Sequence, residues 1–300
     1  MKRTAAAALF AALPVAAFAQ TVTVQDAQGE ATVPAKPETV VVFDLAAIDT
    51  MSALGIEVDG VPDFAPPAYL EDVFAEAKPV GTLFEPDFEE LAAMQPDLIV
   101  AGGRSQPQVG ALSEIAPTLD MTIDGGDIAA QAKARAQAYG KIFDRSGAAD
   151  EAIAALEADI SEAAEAVAGK GDALILLANG GKISAYGPGS RFGWVHNALD
   201  LPEAREGLET ETHGEAVSFE FVAEVDPDWI LVVDRTAAIG REGEAAQATL
   251  DNPLVQGTKA GQAGQIIYLD SAPLYLAGGG IQSMQITLDE ITEAFADADS

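Results

Sequence analysis

The stretch FEPDFEELAAMQPDLIVAGG, residues 84–103, decides the fold. It runs from an acidic helix start through a short helix and a Pro-Asp turn into a buried strand that ends at glycine. The stretch FEFVAEVDPDWILVVD, residues 219–234, repeats this order of features. A short apolar run beside a helical pattern is typical of a strand in a parallel sheet. The repetition therefore predicts two similar α/β domains.

The segment between the two repeats predicts a long connecting helix. From residue 129 to 170 the composition shifts to Ala, Glu, Lys and Arg, which are good helix formers. Two helices fit this segment, at 129–143 and 148–168. We expect an N-terminal lobe at 20–146, a bridging helix at 147–170 and a C-terminal lobe at 171–300.

Shorter patterns complete this α/β interpretation. Alternating residues around Gln28 and Gly29 predict a β-hairpin, and TVVVFD, residues 39–44, is typical of a buried strand. ALILLANGGKISAYG, residues 173–187, begins the α/β series of the second lobe. Three glycines at 278–280 relax the chain into a predicted last helix at 280–295.

The N-terminus predicts export. Lys2 and Arg3 precede an apolar run, and small residues lead to a cleavage site after Ala19, so residues 1–19 have the pattern of a signal peptide. The chain has no cysteine, which excludes a lipid-anchoring cysteine, disulfides and thiolate metal sites. We expect a mature protein that begins at Gln20 and diffuses freely in the periplasm.

The charge balance excludes some partners. Against 48 acidic side chains the sequence has 16 Lys and Arg, which gives a formal net charge of −32. Such a field repels nucleic acid and anionic lipid, so neither is an expected partner. The few arginines are the informative residues.

Three arginines follow the ends of predicted elements. Arg104 comes after the strand DLIVAGG, Arg191 opens a helix after YGPGS, and Arg235 comes after the strand WILVVD. Ligands of open α/β sheets bind outside the carboxyl ends of the strands. Each arginine alone is compatible with a solvated surface position. As a set of permanently charged, planar donors they favour an anionic ligand.

Two residues in predicted loops are candidate iron donors, and a third has a different pattern. His213 precedes a helix and Tyr275 lies between a strand and the last helix, and imidazole and phenolate both suit Fe(III). Alternatively, His213 bonds to backbone and Tyr275 is half-buried packing. His196 lies on an apolar helical face with Phe192 and Val195, which favours a packing role.

Several other chemistries lack support in the sequence. The glycines of GPGSRFG do not have dinucleotide-loop spacing, and no G-x-S-x-G motif occurs. The chain has two histidines, whereas a receptor for a bare divalent ion needs several together with carboxylates.

The motifs together resemble periplasmic siderophore-binding proteins of iron ABC transporters, in the group typified by receptors for catecholate siderophores. Their expected order is kept from about residue 39 to 284. The motifs are VVVFDLAAIDTMSALG, GTLFEPDFEELAAMQPDLIVAGGR, YGPGSRFGWVHNALDL, HGEAVSFEFVAEVDPDWILVVDR and IIYLDSAPLYLAGGGIQSM.

The resemblance implies two Rossmann-like lobes bridged by one long helix, with little hinge closure. It implies that Arg104, Arg191 and Arg235 match an anion-binding arginine triad. His213 and Tyr275 match a pair that, in some members, completes the iron coordination of a tetradentate bis-catecholate. It further implies no intrinsic cofactor, Fe(III) carried as a siderophore complex, no enzymatic activity, a monomer, and delivery to an inner-membrane ABC permease.

Alternatives and a docking surface remain open. The same fold could bind haem, a corrinoid or a hydroxamate siderophore, and a remote alternative is a secreted α/β hydrolase with His213 as base. Acidic residues at equivalent places in the two repeats are candidate permease contacts. They are Glu85, Asp87, Glu89 and Glu90 in one lobe and Glu220 and Glu224 in the other.

Overall fold

The computed structural model describes residues 20–208 and 214–298. The predicted signal peptide and His213 therefore lie outside the described residues. The strands are β1 (Thr21–Asp26), β2 (Gly29–Pro34), β3 (Val40–Val42), β4 (Gly60–Val61), β5 (Lys78–Pro79), β6 (Leu98–Ala101), β7 (Thr118–Asp120), β8 (Ala173–Asn179), β9 (Lys182–Tyr186), β10 (Glu215–Val217), β11 (Trp229–Asp234) and β12 (Ile266–Tyr268).

The helices surround these strands. They are α1 (Leu45–Ala53), α2 (Glu71–Glu76), α3 (Phe88–Met94), α4 (Val109–Leu112), α5 (Ile128–Ile142), α6 (Ser146–Val167), α7 (Trp194–Leu199), α8 (Phe219–Val225), α9 (Arg235–Ala238), α10 (Ala246–Leu250), α11 (Pro253–Gln256), α12 (Lys259–Ala263), α13 (Ser271–Leu276) and α14 (Ile281–Asp297). Two 3-10 helices lie at Ala68–Leu70 and Gly103–Gln108.

The first lobe is built on a parallel five-stranded sheet in the order β5-β4-β3-β6-β7. All residues of the central strands β3 and β6 are buried, because helices cover both faces of such a sheet. The antiparallel hairpin β1–β2 accompanies this lobe and confirms the hairpin predicted around Gln28 and Gly29.

The second lobe has a mixed five-stranded sheet in the order β10-β9-β8-β11-β12. Strands β8, β11 and β12 are parallel, but β9 and β10 run antiparallel to their neighbours. The two-residue turn Gly180-Gly181 has φ values of 55° and 79°, and two successive positive φ values are typical of the type I′ turn of a β-hairpin. The second lobe is therefore not a copy of the first.

Helix α6 connects the two lobes and packs on α5, α7 and α14. Its buried residues Ala149, Leu156 and Ala163 recur every seven positions, which places them on one stripe of the helix. The predicted helix at 148–168 is confirmed as Ser146–Val167, and so is the α/β class with two lobes and a long helix between them.

None of the helices in the described ranges has both the length and the apolar character needed to cross a membrane.

Candidate functional site

Three separate segments bring the arginines of the sequence prediction to one tyrosine. Arg104 lies in the 3-10 helix after β6, Arg191 in the turn before α7, and Arg235 at the first residue of α9 after β11. Their guanidinium carbons lie 5.4, 4.6 and 6.0 Å from the ring centre of Tyr275 on α13. Both lobes thus contribute to one cationic site, since Arg104 belongs to the first and the other residues to the second.

The backbone at the end of α13 holds two of the arginines. Arg191 Nη2 donates to the Tyr275 carbonyl oxygen at 2.6 Å, and Arg104 Nη2 donates to the same oxygen at 3.2 Å. Arg104 Nη1 also reaches the Leu276 carbonyl oxygen at 3.4 Å. The last carbonyls of a helix have no partner within it and carry partial negative charge. They are therefore suited to holding guanidinium groups in place.

The third arginine contacts the tyrosine hydroxyl. Arg235 Nε donates to Tyr275 Oη at 3.0 Å, and Arg235 Nη1 donates to Asn179 Oδ1 at 3.4 Å. Asn179 is the last residue of β8. Its role was not predicted from the sequence, although its place at a strand end was the available signal.

Aromatic rings form one wall of the site. Phe192 is fully buried, and its ring lies 4.7 Å from the Arg191 guanidinium carbon and 4.7 Å from the ring centre of Tyr186. Burial raises the pKa of Tyr186 to about 12, an effect that exceeds the lowering by the nearby arginines. This wall reduces the contact of Arg191 with water.

The three arginines Arg104, Arg191 and Arg235 have no acidic partner among the residues that the structure describes. Burial lowers the pKa of Arg191, and the neighbouring charge of Arg104 lowers it further. An anionic ligand would relieve this repulsion, whereas a cation would increase it.

The same charges act on Tyr275. Burial raises the pKa of its phenol, but the hydrogen bond from Arg235 and the charges of Arg191, Arg235 and Arg104 outweigh burial, so the net shift is downward. A lowered pKa favours the phenolate, which is the form that binds Fe(III).

Two local predictions need correction. Tyr275 was expected in a loop but lies in α13, because the Asp270 side chain accepts from Ala272 N and caps the helix. Pro273 is tolerated because it lies in the first turn. Arg191 was expected to open a helix, but α7 begins three residues later, at Trp194.

Of the two histidines, the structure describes only His196. His213 lies outside the described residues, so its expected position near Tyr275 stays a prediction. His196 is 5% exposed, and its Nδ1 lies 2.9 Å from the Leu201 carbonyl oxygen. This agrees with the packing role predicted for it. In the part of the chain that the structure describes, no group of three or more His, Asp or Glu is arranged to hold a metal ion.

Comparisons with known proteins extend over most of the chain. Residues 40–273 match the model of the periplasmic binding protein family. The chain is 37% identical over 270 residues to the petrobactin-binding protein YclQ of Bacillus subtilis, which covers 87% of this chain and 83% of that protein. It is 28% identical over 275 residues to the ferric-anguibactin-binding protein FatB of Vibrio anguillarum, and this alignment covers 89% of this chain and 85% of FatB.

Solved structures agree with these matches. The crystal structure of YclQ superposes with a TM-score of 0.88 at 34% identity, covering 92% of this chain and 99% of that one. The catecholate-siderophore binding protein VctP of Vibrio cholerae superposes with a TM-score of 0.85 at 30% identity, covering 91% and 100%. The likeness therefore applies to both lobes.

Proposed function

This chain belongs to the periplasmic binding protein family, and we propose that it is the receptor of an iron-importing ABC transporter. It binds a ferric siderophore between its lobes, outside the cytoplasm, and delivers it to a membrane permease. The observation that carries this proposal is the group of three arginines around Tyr275, which have no acidic partner in the described residues. The family consists of binding proteins, which supports a binding role rather than an enzymatic one.

A ferric catecholate fits the chemistry of this site. Its complexes are anionic, and guanidinium groups form charge-assisted hydrogen bonds to such oxygens. Arg104, Arg191 and Arg235 now bond to a helix end and a hydroxyl, and the siderophore oxygens would offer them better acceptors. The name of VctP, which refers to catecholate siderophores, supports the same ligand class, and the name of YclQ, which refers to petrobactin, supports a siderophore as the ligand.

Iron arrives as cargo within the siderophore. When a tetradentate siderophore leaves two positions on Fe(III) open, the Tyr275 phenolate and the His213 imidazole would fill them. A charge-transfer band that shifts on binding to the wild type, but not to Tyr275→Phe, would support direct ligation by Tyr275.

The affinity test uses Arg191→Ala. Losing a charge-assisted hydrogen bond costs about 1.5–3 kcal/mol, so the dissociation constant for a ferric bis-catecholate should rise roughly 10- to 150-fold. Fluorescence quenching measures this change. Arg145→Ala, which removes an exposed arginine at the start of α6, is the matched control and should bind as the wild type does. Equal affinity of Arg191→Ala and wild type would overturn the assignment, and tight binding of haem instead would favour the haem alternative.

The acidic helix starts of the two lobes are the proposed permease contacts. Glu89 and Glu220 occupy the first turns of α3 and α8, and both are exposed. Glu85, Asp87 and Glu224 are also exposed, whereas Glu90 is half-buried and pairs with Lys78. Reversing the charge of Glu89 and Glu220 together should reduce iron uptake while leaving siderophore binding intact. Undiminished uptake would refute the docking role.

A further inference from the structure

A fully buried carboxylate of the first lobe caps a helix of the second. Asp49 lies in α1 and has no exposed surface. Its Oδ1 accepts from Gln282 N at 2.8 Å and its Oδ2 from Ser283 N at 2.8 Å, both in the first turn of α14. Helix α14 packs with the second lobe, where its Phe295 stacks on Trp229 of β11 at 3.7 Å.

Neighbouring groups strengthen this contact. Tyr69 Oη donates to Asp49 Oδ2 at 2.6 Å, and Gln282 Nε2 donates to the Asp49 carbonyl oxygen at 2.8 Å. Thr50 Oγ1 accepts from Ile281 N at 3.3 Å. The residue before α14 is Gly280, which has no side chain to cap the helix. The amide donors at this helix start are therefore satisfied by the first lobe instead.

The glycine loop before α14 is shaped to this contact. A side chain at Gly280 would collide with the Asp49 carboxyl group, and one at Gly279, whose φ is +86°, would collide with Ile123 of the first lobe. Only glycine allows the backbone to approach so closely. The glycines that the sequence predicted before the last helix therefore allow this loop to pack closely against the first lobe.

This loop leads directly back to the ligand site. Two backbone hydrogen bonds connect the end of α13 to the start of α14. Ala277 N donates to the Pro273 carbonyl at 2.9 Å, and Gly280 N donates to the Ala277 carbonyl at 2.8 Å. The carbonyls of Tyr275 and Leu276, which hold Arg104 and Arg191, lie within the turn that these bonds form. Moving α14 away from Asp49 would therefore move the acceptors that orient two of the three arginines.

From these contacts we infer that Asp49 is a positioning residue for the siderophore site. The hydrogen bonds of Asp49 hold the turn between α13 and α14 against the first lobe. This turn then fixes the positions of Arg104 and Arg191. The siderophore part of this inference rests on the proposed function, whereas the positioning of the arginines does not.

The test uses Asp49→Ala and Asp49→Asn. The asparagine keeps the size of the side chain but replaces one of the two accepting oxygens by an NH₂ group, so one backbone N–H of α14 loses its acceptor. Nitrogen-15 NMR spectra of the ligand-free protein would follow the guanidinium signals of Arg104 and Arg191, assigned with Arg→Lys variants. We expect these signals to shift or broaden in both Asp49 variants. The dissociation constant for a ferric bis-catecholate should rise by about tenfold or more, as is typical of groups that position a binding site from behind.

The control is Asp97→Ala. Asp97 Oδ2 also accepts from two backbone amides, those of Glu38 and Thr39, but within the first lobe, so its loss should lower stability without changing the arginine signals. If Asp49→Asn folds and lowers the melting temperature, yet keeps the arginine signals and the affinity of the wild type, Asp49 is merely structural and the inference is wrong. If Asp49→Ala fails to fold, Asp49→Asn decides. If the wild type binds no ferric siderophore, the proposed function fails, and the NMR signals still test the positioning role.

Discussion

Tyr275 is the residue on which the site depends, since its carbonyl and its hydroxyl accept from three arginines. Sequence reasoning could select Arg104 and Arg235, because residues that follow parallel strands share one edge of each sheet. It does not explain Arg191, which follows the antiparallel strand β9. Nor could it show that the three arginines converge on a tyrosine. That arrangement depends on α13, whose helical cap at Asp270 was interpreted as a loop.

The phenol of Tyr275 provides a pH test of this geometry. Burial raises its pKa, but the Arg235 hydrogen bond and the three positive charges lower it by more. Arg235→Ala should therefore move the Tyr275 pKa upward, because burial then acts against fewer positive charges. Spectrophotometric titration of tyrosinate, with Tyr275→Phe subtracted, measures the shift. An unchanged titration would mean that Arg235 does not contact the phenol in solution.

Asp49 makes a second prediction at the level of a single residue. Burial raises its pKa from 3.8 to about 7, an effect that outweighs the hydrogen bonds from Tyr69, Gln282 and Ser283, and the nearby charge of Asp44 adds to it. Between about pH 4 and pH 7, Asp49 therefore holds a proton in the folded state that it has lost in the unfolded state, and above this range it is the carboxylate. This stabilisation is complete below about pH 4 and is lost as the pH rises through about 7.

As the pH rises from about 4 to above 7, the free energy of unfolding of the wild type should fall by up to about 4 kcal/mol because of Asp49, since one pKa unit corresponds to 1.36 kcal/mol. Urea unfolding of wild type and Asp49→Asn at several pH values isolates the contribution as the difference between the two curves. Parallel curves would show that Asp49 is ionised throughout.

Among the helices and strands, sequence periodicity predicted those that form from a local pattern of apolar and polar residues. The hairpin β1–β2 and helix α6 were found almost where the sequence placed them, because alternation and helical stripes are local signals. The antiparallel course of β9 and β10 was missed, although Gly180-Gly181 between two apolar runs is a sequence signal for a β-hairpin. The Asp49 cap was also missed, since it joins residues more than two hundred positions apart.

The turn between β8 and β9 should be sensitive to backbone conformation alone. Gly180 has φ +55° and no atom close to where a side chain would begin. Gly180→Ala should lower the free energy of unfolding by about 1 kcal/mol, because an ordinary residue is strained in the left-handed region. Gly180→Asn is the matched control and should cost less, since asparagine tolerates this conformation. Urea unfolding compares the two, and equal losses would argue against a type I′ turn.

For the whole molecule, the local and the overall charge have opposite signs. The chain has a formal net charge of −32, while its site presents three arginines without acidic partners among the described residues. An anionic siderophore is therefore repelled at long range and attracted at short range. Long-range repulsion is screened by salt, whereas partly buried contacts are screened much less.

The association rate of a ferric catecholate should accordingly rise with ionic strength. Between about 10 and 150 mM salt the screening length falls from about 30 to about 8 Å, which removes the distant negative field before it weakens the arginine contacts. Stopped-flow fluorescence quenching at increasing NaCl measures the rate, with sucrose at matched viscosity as the control. A rate that falls with salt would mean that the arginines themselves attract the ligand from a distance, and that the acidic surface is too far from the arginines to oppose them.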